Sequence, residues 1–261
     1  MPYANNDGVC IHYQVEGEGP PLVFQHGFTS SLQSWYTSGY VVALQQDYQL
    51  ILIDARGQGQ SDKPYDPNTD TMQKRVEDIL AGLDALQVET AHYLSYSIGG
   101  RIGFGTARYR PQRSISLIIS DMYPYESRGA SAQERVAVLQ QGMAAYVAYA
   151  ERLNGPMAPD RKARLLANAP QALIAFRQAP RDLGGAERLL PTMTMPCLLY
   201  VGEADSYYPG ALECVKHIPN ARFVSFPGLH HSQTSQASHL AVPQVMQFLQ
   251  QVMQQEHAAR W

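Results

Sequence analysis

The sequence predicts an α/β fold: a mostly parallel central sheet with helices on both faces and a helical insertion. Three observations carry this. Short runs recur in which nearly every residue is apolar, as suits parallel strands covered on both sides. Segments with apolar residues at helical spacing separate them, and that alternation is the mark of a parallel sheet wrapped by helices. From about Met122 to Pro191 the strand pattern lapses and short helical segments take over.

Asn6-Asp7-Gly8 signals a hairpin turn, and Val9 to Val15 alternates as a strand does. Leu22–Gln25, Leu50–Asp54, His92–Leu94, Ser114–Ser120, Cys197–Val201 and Arg222–Phe226 supply the other strands. Ser31 to Leu44 reads as one helix carrying Trp35, Val41 and Leu44. Thr71 to Leu86 reads as a second, with Met72, Val76, Ile79, Leu80 and Leu83 on one face and Asp70 or Thr71 as its N-cap. A helix after Ser97 contains Gly99, Gly100, Gly103 and Gly105. Each interior glycine costs about 1 kcal/mol of helix propensity relative to alanine, so the four together predict a close approach to neighbouring backbone. Arg110-Pro111 ends this helix. In the insertion, Gln133–Gln141, Met143–Arg152, Arg161–Ala167 and Gln171–Gln178 read as short helices, with breaks at Asn154-Gly155-Pro156 and Gly184-Gly185. Pro191 and Pro196 bracket the return to the sheet.

A chain of 261 residues is long enough for a large core. Its 20 basic and 23 acidic residues leave a net charge of −3, with no basic stripe to suggest nucleic acid. Cys10, Cys197 and Cys214 lie far apart without CxxC spacing, which favours free thiols over a disulfide frame or a zinc site. The first residues lack the basic and apolar regions of a secretory signal, and no run of about 18 apolar residues would span a membrane. A cytoplasmic location is the expectation, and a homodimer stays open.

The densest signal is His92-Tyr93-Leu94-Ser95-Tyr96-Ser97-Ile98-Gly99-Gly100. It reads as a strand that stops at a serine and turns at once into a helix. Ser95 and Gly99 flank Ser97 two residues to either side, and a turn this tight needs small residues there. Ser97 Oγ then stands clear of the sheet, beside a helix N-terminus that favours negative charge. The competing reading is a serine that merely caps a helix.

This run resembles the nucleophile elbow of the α/β-hydrolases, with Ser95 where that family usually has glycine. Pro21–Phe28, with His26-Gly27, resembles the family's oxyanion loop. Leu50–Asp62 resembles its next strand and glycine-rich turn, Leu198–Asp205 the strand that delivers an acid, and Phe226–His231 the loop that delivers a base. The resemblance covers nearly the whole chain. It implies a hydrolase core at 1–121 and 192–261 and a helical cap at 122–191. It implies Ser97 as nucleophile, His231 as base and Asp205 as its orienting carboxylate, in the family's chain order. The backbone N–H groups of Phe28 and Ile98 would form the oxyanion hole.

His230 competes with His231, and Asp121, after an earlier strand, competes with Asp205. Gly27, Trp35, Tyr96, Tyr123, Tyr146 and Tyr207 are candidates to line the substrate site. Met143, Tyr149 and Leu173 are further cap candidates, with ordinary packing as the alternative. His26, Asp54 and Arg56 are expected to hold their loops. No cofactor or metal is implied, since the His230-His231 doublet lacks a third ligand at suitable spacing. The expected reaction is hydrolysis of a small carboxylic ester or lactone with an apolar acyl part, through an acyl-enzyme. Two alternatives remain: cleavage of a C–C bond in a β-diketone or dienoate by the same triad, and a non-catalytic relative that only binds a small molecule.

Overall fold

Successive residues of a strand point to opposite faces, and in this sheet both faces are apolar and covered. The computed structural model describes residues 2–125, 131–180 and 185–259. The strands are β1 (Tyr3–Asn6), β2 (Val9–Glu16), β3 (Pro21–Gln25), β4 (Gln49–Ile53), β5 (Ala91–Tyr96), β6 (Ser114–Ser120), β7 (Cys197–Gly202) and β8 (Ala221–Phe226). They form one sheet in the order β1-β2-β4-β3-β5-β6-β7-β8. β1 and β2 pair antiparallel, as do β2 and β4; every later pairing is parallel. Leu22, Phe24, Leu52, Leu94, Ile118 and Leu198 face one core, whereas Val23, Ile51, Tyr93, Leu117, Ile119 and Leu199 face the other. Fully burying each aliphatic side chain contributes roughly 1.5–3 kcal/mol, so a one-residue slip of any central strand is heavily penalised.

The strand order reverses between β3 and β5. In open sheets of this kind, a crevice opens beyond the carboxyl ends of the strands at such a point. Gln25, Tyr96, Gly202 and Phe226 end their strands on that side, and the segments carrying Gly27, Ser97, Asp205 and His231 follow them.

The expected helix over Ser31–Leu44 is two helices, Gln33–Thr37 and Tyr40–Leu44. Gly39 divides them with φ of 84°, a left-handed conformation that glycine adopts without a Cβ penalty. Met72–Ala85 follows the expectation, and its N-cap is Thr71, whose hydroxyl accepts from the N–H of Lys74 at 3.3 Å. Helices Tyr208–Val215 and Ser238–Ala259 were not foreseen; Pro243 within the second obscures its pattern.

Between β6 and β7 run Ser131–Gln140, Met143–Asn154, Pro159–Leu166, Pro170–Gln178 and Ala186–Leu189. Gly184, one of the expected helix breakers, lies outside the described residues. Leu139, Met143, Tyr146, Val147, Tyr149, Leu165 and Leu173 form a small core of their own, against which Phe28 packs. Met143, Tyr149 and Leu173 therefore hold these helices together. Asn168 ties them to the loop after β3, its amide donating to Thr29 O at 3.2 Å.

Trp35 requires a correction. It is 3% exposed, and its ring meets Phe24 and Tyr40 edge-on at 5.0 and 5.1 Å. It fills the core beneath the short helices and is not a substrate-lining residue. The reason is local: Gly39 turns the second helix so that Tyr40 closes over the indole.

Candidate active site

Ser97 sits where β5 ends and helix Ile98–Tyr109 begins, with φ of 56° and ψ of −118°. A non-glycine residue with positive φ is held against its own preference, at a cost of order 1–3 kcal/mol. Two contacts impose it. The Ser97 N–H donates to Ser120 O on β6 at 2.8 Å. On the helix side, a Cβ added at Gly99 would lie 2.3 Å from Gln25 O and 2.9 Å from His26 O, so only glycine lets the helix come this close. The expectation of backbone contact holds at Gly99; a Cβ at Gly100, Gly103 or Gly105 would meet side chains instead. Ser95 is fully buried and donates through Oγ to Ile118 O at 3.0 Å, a bond that glycine could not make.

His231 Nε2 lies 2.8 Å from Ser97 Oγ, and His231 Nδ1 lies 2.6 Å from Asp205 Oδ2. The second oxygen of Asp205 accepts the Tyr207 N–H at 3.0 Å. Serine, imidazole and carboxylate thus form one chain of hydrogen bonds. The loops delivering the last two are tied together: the Ala204 N–H donates to Leu229 O at 3.1 Å, and a Cβ at Gly202 would sit 2.2 Å from that same carbonyl. His230 points elsewhere, with Nδ1 3.0 Å from Ala204 O. Of the two histidines, only His231 reaches Ser97.

Burial pushes the Asp205 carboxyl upward, but the hydrogen bond and charge of His231 outweigh it and hold the group below the usual carboxylate range. Asp121, at the end of β6, goes the other way. Burial raises its carboxyl well above the usual range, the nearby Asp205 pushes the same way, and donation from Ser120 Oγ and the Gly202 N–H offsets only part. Asp121, Asp205 and His231 bring potential ligand atoms within 4.8 Å of one another. The hydrogen bonds just described occupy those atoms, so the donor set serves the serine–histidine chain better than it would a cation.

Ile98 is the first residue of its helix, so its N–H has no carbonyl one turn back to bond. The oxyanion loop lies alongside: a Cβ at Gly27 would fall 3.4 Å from the Ser97 Cβ. His26 secures that loop. Its Nε2 accepts from the Ala55 N–H at 3.1 Å and its Nδ1 is 2.8 Å from Gly27 O. Burial holds its imidazole below the ordinary histidine range, and Asp54 counters this only in part. Asp54 itself accepts from the backbone of Leu32 and Gln60. Arg56 reaches beyond its loop to Asp78 on helix Met72–Ala85.

The sequence model of the family described as "alpha/beta hydrolase fold" matches residues 20–183. The chain belongs to that family. This alpha/beta hydrolase is 28% identical to 3-oxoadipate enol-lactonase 1 of Acinetobacter baylyi over 218 residues, 77% of this chain and 78% of that one. It superposes on a hydrolase from Pseudomonas aeruginosa with a TM-score of 0.85 and 26% identity, covering 95% of this chain and 97% of that one. On the enol-lactonase of Burkholderia xenovorans the TM-score is 0.84 at 21% identity, with 95% and 100% covered, a likeness of fold.

Within the hydrolase fold, the remaining candidates separate. Tyr207 stacks on His231 at 5.1 Å, and Tyr96 lies at the same distance on a tilted plane, its hydroxyl donating to His231 O at 2.8 Å. Both tyrosines fix the imidazole. Tyr123 contacts Tyr207, and Tyr146 packs into the small core of the inserted helices. Sequence reasoning missed the charged wall. Arg75, Arg101 and Arg177 line a cavity with Ile98, Met122, Phe176 and Tyr207. Two signals were available: Arg101 stands one helical turn beyond Ser97, and Arg75 interrupts an otherwise apolar helix face. Among the described residues no disulfide is present: Cys10, Cys197 and Cys214 are free, and burial pushes the Cys197 thiol up to about 12. No helix among the described residues is long and apolar enough to cross a membrane.

Proposed function

We propose that the protein hydrolyses a carboxylic ester or lactone through an acyl-enzyme formed on Ser97. The observation that carries this reading is the unbroken run of hydrogen bonds from Ser97 Oγ through His231 to Asp205. A serine hydroxyl is a weak nucleophile until an oriented base takes its proton. In the proposed step Ser97 Oγ bonds to the substrate carbonyl carbon while its proton passes to His231 Nε2. Asp205 keeps the other proton on Nδ1 and stabilises the imidazolium. The carbonyl oxygen becomes an oxyanion held by the N–H groups of Ile98 and Phe28. The tetrahedral intermediate then expels the alkoxy oxygen, which receives the proton from His231. In a lactone this opens the ring and leaves the alcohol on the acyl chain. Water, deprotonated by His231, releases the acid by the same two steps. The inserted helices cover this centre as a cap, consistent with the packing of Phe28 against them.

The test is Ser97→Ala assayed with a short 4-nitrophenyl ester, beside intact-mass analysis after a fluorophosphonate. Hydrolysis should fall by about 10⁶-fold, with the thermal melt preserved, and only the wild-type protein should gain the label. Undiminished turnover in the variant would overturn the reading.

A further inference from the structure

The N–H proposed as the second oxyanion donor belongs to Phe28, and the inserted helices grip that residue. We propose that Phe176, Arg177 and Asn168 are positioning residues that hold the Phe28 N–H in place, so that the inserted helices form part of the oxyanion hole. The proposal rests on the hydrolase reading and adds to it the residues that aim one donor.

Two sets of contacts meet at Phe28. The first comes from the sheet side. A peptide is planar, with its N–H opposed to its C=O, so whatever holds the carbonyl of the Gly27–Phe28 peptide also aims its N–H. That carbonyl accepts the Ser30 N–H at 3.3 Å, and His26 Nδ1 lies 2.8 Å from it. These bonds fix the carbonyl end and leave the side chain of Phe28 to be held by other groups.

The second set comes from the inserted helices. Phe176 lies 5.1 Å from the Phe28 ring, Tyr146 meets it edge-on at 6.5 Å, and the guanidinium carbon of Arg177 is 4.1 Å from its centroid. The Arg177 contact uses the face of the guanidinium, which is compatible with hydrogen bonds made in its plane. Phe176 is itself pinned. Arg75 lies 3.6 Å over its ring and donates through Nη2 to its carbonyl at 3.2 Å.

Thr29 supplies an independent observation. Its φ is 63°, and a β-branched residue in that region is an outlier. Both ends of the residue are tied. Its N–H donates to Oε1 of the fully buried Gln58, and its carbonyl accepts from Asn168 Nδ2 at 3.2 Å. Asn168 Nδ2 also bonds the carbonyls of Arg164 and Leu165 at 3.1 Å, which anchors it at the end of helix Pro159–Leu166. A strained residue persists only while its surroundings over-determine it. Loosening the grip on Phe28 and Thr29 lets the backbone relax, and the N–H then leaves the position in which it is preorganised for the oxyanion.

The test measures kcat and KM for 4-nitrophenyl butyrate, and the inhibition constant of butaneboronic acid. The tetrahedral adduct of that acid on Ser97 resembles the transition state and places an oxygen in the oxyanion hole. A misplacement of about 1 Å can cost about 100-fold, so Phe176→Leu and Asn168→Ala should each lower kcat by about 10- to 100-fold while KM stays within about three-fold. The boronate should bind more weakly in proportion. Arg177→Gln should lose several-fold, and Arg177→Lys should recover most of it, since an ammonium also sits well over a ring face. Asn168 and Arg177 are half-buried, so their variants carry the test should Phe176→Leu not fold. A rise in KM at unchanged kcat overturns the proposal and makes these residues substrate contacts. Wild-type kcat and boronate affinity in Asn168→Ala and Arg177→Gln overturn it as well, while Ser97-dependent hydrolysis leaves the hydrolase reading standing. A wild-type protein that neither cleaves the ester nor binds the boronate overturns both.

Discussion

The ends of β6 and β7 offer two carboxylates, Asp121 and Asp205, both almost fully buried and close enough to influence each other. Their fates are opposite. Asp205 meets an imidazole at 2.6 Å and is held ionised; Asp121 meets a hydroxyl and one backbone N–H and is pushed toward the neutral acid. Burial is common to both, so burial does not assign the role. The partner does: a group able to carry positive charge stabilises a carboxylate, whereas neutral donors only soften its desolvation. Two anions this close would repel each other, and leaving one protonated avoids that cost.

The comparison can be broken most directly at Asp205. Asp205→Ala should reduce kcat/KM by about 10⁴-fold in the ester assay, because it is Asp205 that bonds His231 Nδ1. Retention of more than a tenth of the activity would show that Asp121 can take over as the orienting acid. A smaller effect is expected at Gly202, whose N–H serves Asp121 and whose Cα hydrogen faces Leu229 O. Gly202→Ala forces the two loops apart and should lower stability by about 1–3 kcal/mol, read from urea denaturation, with activity falling alongside. An unchanged midpoint would mean the loops have slack.

The smallest effect sharpens the comparison through pH. The folded state raises the carboxyl of Asp121 above its unfolded value, so this group favours folding only while it is protonated. Its contribution is full below the unfolded value of about 4 and is lost as pH rises through the elevated folded one. Asp121→Asn removes that penalty with little change in shape. The variant should melt higher than wild type at pH 7, and the gain should vanish as pH falls below about 4. Activity should stay within about ten-fold of wild type, since losing one neutral hydrogen-bonded neighbour amounts to about 0.5–1.5 kcal/mol. A gain that persists in acid would refute the neutral-acid assignment.

Much of this was legible in the sequence because strand and elbow signals are local. Most of β3 to β8 announce themselves as nearly apolar runs, and the small residues around Ser97 follow from the turn they must form. The resemblance implies His231 as the base with His230 as its competitor, and the geometry brings His231 to Ser97. The failures share a physical cause. Trp35 is an aromatic beside the oxyanion loop in sequence, yet it packs into the core between Phe24 and Tyr40. Arg75, Arg101 and Arg177 lie far apart along the chain, and only the strand crossovers bring them to one cavity. Local pattern shows which residues are unusual for their element; it does not show which unusual residues will meet.

The contact between Gly99 and the carbonyl of Gln25 has a mechanical corollary. Atoms pressed against each other resist compression far more steeply than hydrogen bonds resist stretching. The spacing between the attacking oxygen and the loop beside it is therefore gauged by a hard stop, and warming should leave that gap nearly constant until the whole sheet gives way. Heat would then remove function abruptly, together with the fold, instead of eroding it degree by degree.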